Sequence, residues 1–349
     1  MAFVPIFGLP SDDGRNSFNC ALQILLRIEP FYKLLSTNEF NDKLVLASSK
    51  SQGKLSKALA AIIQEANSLA SSSNNGVVSL DESLIATFEK QFYDYATIIE
   101  RNGDLCECMN LLFELLDAEL NFSSHPSNSA VPNFFLPTSL TPKDLVSIVQ
   151  QKLQDYYATS FSQGVISTSV FFPTLHLFKC CGKEEHGAVV SSLGGNHCST
   201  KARVAMENSL SVEIPKLKSK NDVITLLDCI KSSSTVETIG GYNCDQCNMR
   251  CTLQKSAEVW QCKEYLLIVL KRFTLNHQTF MLEKIHTPVQ YPVHDFDVSQ
   301  FTMEGQFLQD DDALKTPNAK SLYDLVAIGC HMGKKTSGHY YTIVKQEEQ

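Results

Sequence analysis

"YDLVAIGCHMGKKTSGHYYTIV" (Tyr323 to Val344) is the stretch that decides how the chain is read. Tyr323, Leu325 and Ala327 alternate with other residues as on a half-buried strand. A glycine-containing turn follows, and a second strand opens with Gly338, His339 and Tyr340. A histidine just inside a strand, with glycine before it, has little steric cover and can face a cleft. Its ordinary pKa near neutrality suits a general base. Taken alone, the same pattern also describes a surface hairpin histidine.

Working outward, the strand-like texture extends back to about residue 165. "GVISTSVFFPTLHLF", "SLSVEIP" and "EVWQCKEYLLIVLKRFTL" are β-branched and aromatic runs broken by turn residues. Before that the periodicity is helical. Leu22, Leu25, Leu26 and Ile28 follow helical spacing, with Asn16 or Ser17 available as cap and Pro30 ending or kinking the run near Glu29. "KLSKALAAIIQEANSLA", "DESLIATFEKQF" with Asp81 as cap, "CECMNLLFELLDAEL", and "TPKDLVSIVQQKLQDYYA" with Thr141 as cap predict four more helices. A helical half followed by a strand-rich half is an α+β order, and a cleft between them is a natural binding place.

Of the 349 residues, 43% are hydrophobic and 19% charged, as in a folded globular protein. A formal charge of −8 argues against nucleic acid as the main partner. No run approaches the length of a membrane span, and "MAFVPIFGLP" lacks the basic start and apolar core of a secretory signal. A cytoplasmic or nuclear location is therefore expected. There the 12 cysteines serve as core residues, metal ligands or nucleophiles rather than disulfides. Trp260 reads as core, and the lysines from Lys216 to Lys220 as a solvated loop.

Two boxes far apart carry a resemblance. "GLPSDDGRNSFNCALQ" resembles G-L-x-N-x-G-N-T-C-Y-x-N-S-x-L-Q without a gap, matching at Gly8, Leu9, Asn19, Leu22 and Gln23. The 323–344 stretch matches a second box at Tyr323, Leu325, Ala327, Ile328, His331, Gly333, Gly338, His339 and Tyr340. "YNCDQCNMR", Leu270 to Phe273, "YPVHDFDVSQF", and Asp104, Glu107 and Leu116-Asp117 fall in order between them. The whole resembles the ubiquitin-specific proteases, the papain-like deubiquitinases. The resemblance implies a papain-like α+β fold with a helical thumb (about 1–160), β fingers (about 165–255) and a β palm (about 255–349). It also implies a binding surface that includes Asp104, Glu107, Gly338 and Tyr340.

The departures concern the chemistry. The family's nucleophilic cysteine falls on Asn16, its oxyanion-hole asparagine on Ser11, and a loop glycine on Asp13. His339 keeps the base position, and the third triad member has no evident counterpart. A carboxamide does not ionise at neutral pH and cannot do the work of a thiolate. Asp13 would bring charge of the wrong sign to a developing oxyanion. Cys20 lies four residues, about 6 Å of helix rise, beyond Asn16.

Three functions follow as expectations. The first is a catalytically inactive adaptor or scaffold, binding ubiquitin or another ubiquitin-pathway component. The second is an active cysteine isopeptidase using Cys20 with His339, and the third a structural subunit that does not bind ubiquitin. The resemblance further implies one structural Zn2+. Cys244 and Cys247 form one C-x-x-C pair, while the other is represented by Cys181 with Cys180 beside it. Cys251, His176 and His186 lie close to these in sequence, so a site of three cysteines, with or without a histidine, is open, and a degraded, metal-free site is the other reading.

Overall fold

The structure is a computed structural model. It describes the chain except for residues 1–5, 10–15, 45–49, 73–76, 98, 100–102, 122–130, 138–139, 160, 162, 186–187, 190–199, 218, 220–221, 309–320, 335–336 and 346–349. Among the described residues no helix is long and apolar enough to cross a membrane.

The first part of the chain is helical. Strand β1 (Ile6–Gly8) leads to α1 (Asn16–Leu25), α2 (Glu29–Ser36) and α3 (Lys54–Ser72). Strand β2 (Val77–Ser79) then pairs in parallel with β1, and α4 (Glu82–Tyr95) and α5 (Leu105–Glu119) follow. One apolar cluster joins them. Phe18, Leu22 and Leu25 of α1 meet Leu59 and Ile63 of α3, Phe88 and Phe92 of α4, and Leu112 and Leu116 of α5. Phe18 stands 5.5 Å, ring centre to ring centre, from both Phe88 and Phe92. Glu119, fully buried at the end of α5, accepts from the amides of Leu55 (3.2 Å) and Ser56 (2.7 Å) and from the Ser51 hydroxyl. A carboxylate is tolerated there because the first turn of α3 offers unpaired N–H groups and the positive end of its dipole.

Asp81 caps α4 as expected, accepting from Ser83 N at 2.8 Å. Two other expectations need correction. Asn16 is the first residue of α1 rather than its cap. Pro30 does not merely end a helix but sits in the first turn of α2, where its missing N–H costs nothing.

Strand β3 (Asn133–Leu136), α6 (Pro142–Thr159) and α7 (Val165–Val170) come next. Thr141 caps α6 as expected, its hydroxyl accepting from Asp144 N at 3.2 Å. The β-branched run of α7 was expected as strand. It is helical because Gly164 opens the turn and the buried Asp117 carboxylate accepts from Ser167 N at 3.0 Å.

Then follow β4 (Phe172–Glu185), β5 (Ala188–Val189), β6 (Thr200–Glu207), β7 (Leu210–Glu213), β8 (Ile224–Thr225), α8 (Leu226–Ser233), β9 (Glu237–Cys244) and β10 (Met249–Val259). The fingers sheet runs β3-β6-β4-β10-β9, with β5 folded back on β4. Val146, Val149 and Leu153 of α6 pack on this sheet with Leu175, Val204 and Trp260, which is core as expected. β3 and α6 thus bury apolar residues against β4 and β6.

The remaining elements are β11 (Ile268–Lys271), β12 (Phe273–Asn276), β13 (Met281–Lys284), β14 (Val289–Gln290), β15 (Phe296–Asp297), α9 (Met303–Leu308), β16 (Leu322–Tyr323), β17 (Ala327–Lys334) and β18 (Ser337–Val344). β11 pairs in parallel with β7, and β14 with β8. β7 and α8 thus share an apolar cluster with palm residues such as Val259, Val289 and Phe301. β17 and β18 form an antiparallel hairpin that packs against α1.

Candidate functional site

Helix α1 and strand β18 bring the two ends of the chain together. The Asn16 side-chain nitrogen lies 3.1 Å from His339 Nδ1. An amide NH2 only donates, so in this pairing the imidazole nitrogen is the acceptor. Among the described residues no carboxylate bonds to His339. Asp324, just before the hairpin, is engaged by His294 and Lys345 instead. Ser11 and Asp13 lie outside the described residues.

Cys20, one turn along α1, does not reach this place. It is 4% exposed within the helical core, and burial pushes its thiol pKa up. Cys108, also in that core, is pushed up to about 12 by burial.

The hairpin is shaped around glycine and aromatic contacts. A Cβ on Gly338 would collide with His331 Nε2 and stand 2.6 Å from the Met332 carbonyl. Only glycine lets the strand carrying His339 lie this close to its partner strand. His331 packs its ring 4.7 Å from that of Tyr340 and 5.7 Å from Phe273. Lys284 fixes it from outside, its Nζ lying 3.0 Å from His331 Nδ1 and donating to the His331 carbonyl at 2.7 Å. Burial, helped by that ammonium, holds the His331 pKa below the ordinary histidine value. No sequence signal pointed to Lys284.

Tyr340 reaches the other way, its hydroxyl donating to Asp104 Oδ2 at 3.1 Å. The other oxygen of Asp104 caps α5, accepting from Cys106 N at 2.8 Å. Asp104, expected on a binding surface, is thus tied into the joint between thumb and palm. Glu107 is exposed in the first turn of α5.

Cys180, Cys244 and Cys251 are all buried, and their sulfurs lie within 4.8 Å of one another, a group that can hold a metal ion. Neither Cys181, which matches the sequence pattern better, nor Cys247 is among them. Neighbouring residues on a strand face opposite sides, and the Cys181 thiol turns to the Lys179 carbonyl at 3.6 Å. Cys247 packs against the three from the turn after β9. The donor set is all sulfur and buried, which suits a soft tetrahedral ion. His176, on β4, lies well along the strand from these cysteines and pairs with Ala257 and Arg203, while His186 lies outside the described residues.

Comparisons with known proteins agree with this architecture. The chain is similar to ubiquitin carboxyl-terminal hydrolase 4 of Bos taurus, 29% identical over 134 residues, which is 37% of this chain but 12% of that protein. It is similar also to ubiquitin carboxyl-terminal hydrolase 5 of Arabidopsis thaliana, 30% identical over 131 residues, 37% of this chain and 13% of that one. Among solved structures it resembles the SAGA DUB module of Ubp8, Sgf11, Sus1 and Sgf73 bound to monoubiquitin. The TM-score is 0.58 at 15% identity, covering 97% of this chain and 63% of that chain. That likeness is one of fold. A family model described as ubiquitin carboxyl-terminal hydrolase matches residues 14–349. With both boxes meeting at one hairpin and one helix end, the chain belongs to the ubiquitin carboxyl-terminal hydrolase family.

Proposed function

We propose that this chain is a non-hydrolytic member of the family, serving as a protein-binding adaptor or scaffold whose partner is ubiquitin or another ubiquitin-pathway component. The observation that carries this reading is the carboxamide of Asn16, 3.1 Å from the imidazole at the place where a thiolate would attack. An amide neither ionises nor offers a comparable lone pair, so the imidazole has nothing to activate. Cys20 is a poor substitute, being buried, raised in pKa and a helical turn away, whereas attack geometry tolerates displacements of about an ångström.

Binding does not depend on the missing thiol, because affinity and chemical rate come from different contacts. Support for a protein partner comes from the outer face of the hairpin. His339, Tyr341 and Ile343 alternate along β18, opposite Met332, Cys330 and Ile328 of β17. Met332 is 61%, Tyr341 46% and Ile343 52% exposed, an apolar surface of the kind that marks contact sites. The fold neighbour Ubp8 is found with monoubiquitin and three other subunits, which fits a partner of this class. A structural Zn2+ on the buried cysteines, stiffening the end of the fingers sheet, is part of the proposal. A cytoplasmic or nuclear location follows from it, since metal-ligating thiolates need a reducing compartment.

The test combines binding with turnover. Ubiquitin titrated into labelled protein should shift hairpin resonances, while a ubiquitin–fluorophore substrate stays intact and a ubiquitin-tail electrophile leaves no adduct by intact mass. Cleavage that disappears on His339→Ala, or an adduct on Cys20, overturns the non-hydrolytic reading. No affinity for ubiquitin or its conjugates would leave the fold as the scaffold of an assembly.

A further inference from the structure

We infer that the fingers metal is held by Cys180, Cys244, Cys247 and Cys251, so that a strand cysteine of β10 completes the set and Cys181 takes no part. This rests on the zinc reading above and adds which residues do the holding.

Strand parity comes first. Cys180 stands opposite Leu253, and Leu253 lies two residues from Cys251, so these share a face of the sheet. Cys251 stands opposite Tyr242, which lies two residues before Cys244, so Cys244 shares that face too. Cys181 follows Cys180 by one residue and falls on the other side.

The register then breaks on both flanks of one residue. Between Cys251 and Leu253, Thr252 faces Cys181 and Gly182 on β4, and Gly240 and Gly241 on β9. A bulge on each neighbouring strand bends the sheet and re-aims side chains. Gly241, at φ +74°, supplies the left-handed conformation for one of them. The outcome is convergence, with Cys180 Sγ and Cys251 Sγ 3.4 Å apart. Thiolates on tetrahedral zinc, with bonds of about 2.3 Å, stand about 3.8 Å apart. The sulfurs of Cys180, Cys244 and Cys251 need only small adjustments to reach that spacing.

The fourth position is supplied by the turn. Asn248 N donates to the Cys244 carbonyl at 2.8 Å, and Asn248 adopts φ +52°. This tight turn carries Cys247 back against the other three. Two thiols from a turn and two from adjoining strands make a four-sulfur set. Such a set selects zinc over magnesium or calcium by softness.

The experiment uses the full chain purified under reducing conditions. Metal analysis should find an equivalent of zinc, and cobalt exchange should give thiolate charge-transfer and tetrahedral d–d bands. Cys251→Ser should lose zinc on dialysis against a chelator, whereas Cys181→Ser should keep it with an unchanged cobalt spectrum. Cys251→His, which replaces one ligand by another, should hold metal with weaker charge-transfer intensity. This variant keeps the test decisive if the serine variant fails to fold. Zinc retained in Cys251→Ser but lost in Cys181→Ser overturns the ligand set and leaves the zinc reading standing. Neither zinc nor a cobalt spectrum in the wild-type chain overturns the zinc reading and the inference with it.

Discussion

Asn16 begins α1 and aims its carboxamide at an imidazole delivered from the opposite end of the chain. Both partners sit where a thiol would be activated, because a helix N-terminus and a neighbouring histidine each stabilise a thiolate. Asn16→Cys should therefore create the most reactive thiol of the protein. Alkylation by iodoacetamide at mildly acidic pH, read by peptide mass, should find that position modified before Cys20 or Cys108, which are buried and raised in pKa. Adding His339→Ala should slow the reaction about tenfold or more. Equal reactivity with and without the histidine would mean that the two groups do not meet in solution. The pairing of residues 16 and 339 was legible in the sequence because each lies in an ungapped box with matches on both sides. The inward-facing cysteines were not. Cys181 fits the linear pattern, but which of two adjacent cysteines faces inward depends on strand register, and register here depends on a double bulge around Thr252.

At the scale of elements, one carboxylate joins α5 to β18. Asp104 caps the helix with one oxygen and receives the Tyr340 hydroxyl on the other. Asp104→Ala should cost about 1–2 kcal/mol in urea denaturation, mainly through the cap. Tyr340→Phe should cost less, about 0.5–1.5 kcal/mol, and the double variant less than the sum. Strict additivity would show that the bond across thumb and palm contributes nothing.

A second joint lies beside it. The Asp324 carboxyl is pulled down to about 2 by hydrogen bonds from His294 and from Asp295 N, with Lys345 adding to these. Its folded value lies below an unfolded value of about 3.9. Its stabilisation is therefore complete above that unfolded value and is lost as pH falls through the folded one. Carboxyl resonances followed by NMR should give a midpoint near the lower figure, and His294→Ala should raise it. An unshifted titration in the parent protein would rule out the joint.

The elements differ in how readily sequence revealed them. Helices α3, α4, α5 and α6 were legible through periodicity and, for α4 and α6, their caps. Helix α7 was not, because its β-branched residues favour strand, and Gly164 at its start together with contact to Asp117 makes them a helical turn.

Across the whole molecule the apolar core is unevenly distributed. Helices α1–α5 and α7 share one cluster of buried residues, a second lies under the fingers sheet against α6, and a third gathers β7, α8 and Phe301. The strands β11–β13, β17 and β18 contain no buried residue among those described, so the palm meets solvent across much of its surface. Cys180, Cys244 and Cys251 form a separate small cluster, joined to the rest through strands β4, β9 and β10. Local stability follows local burial, and regions with few apolar contacts open first. With zinc bound there as proposed, stripping it with a chelator should therefore act locally. Amide exchange should accelerate in β9 and in the adjoining halves of β10 and β4. Amides of α1, α3 and α5 should keep their protection, because the cluster that holds them contains none of those cysteines. Exchange that rises uniformly over the chain would mean that fingers and thumb unfold as one unit. A protein–protein contact formed by the palm would then be sensitive to the metal from a distance, whereas local loosening would leave the pairing of Asn16 with His339 untouched.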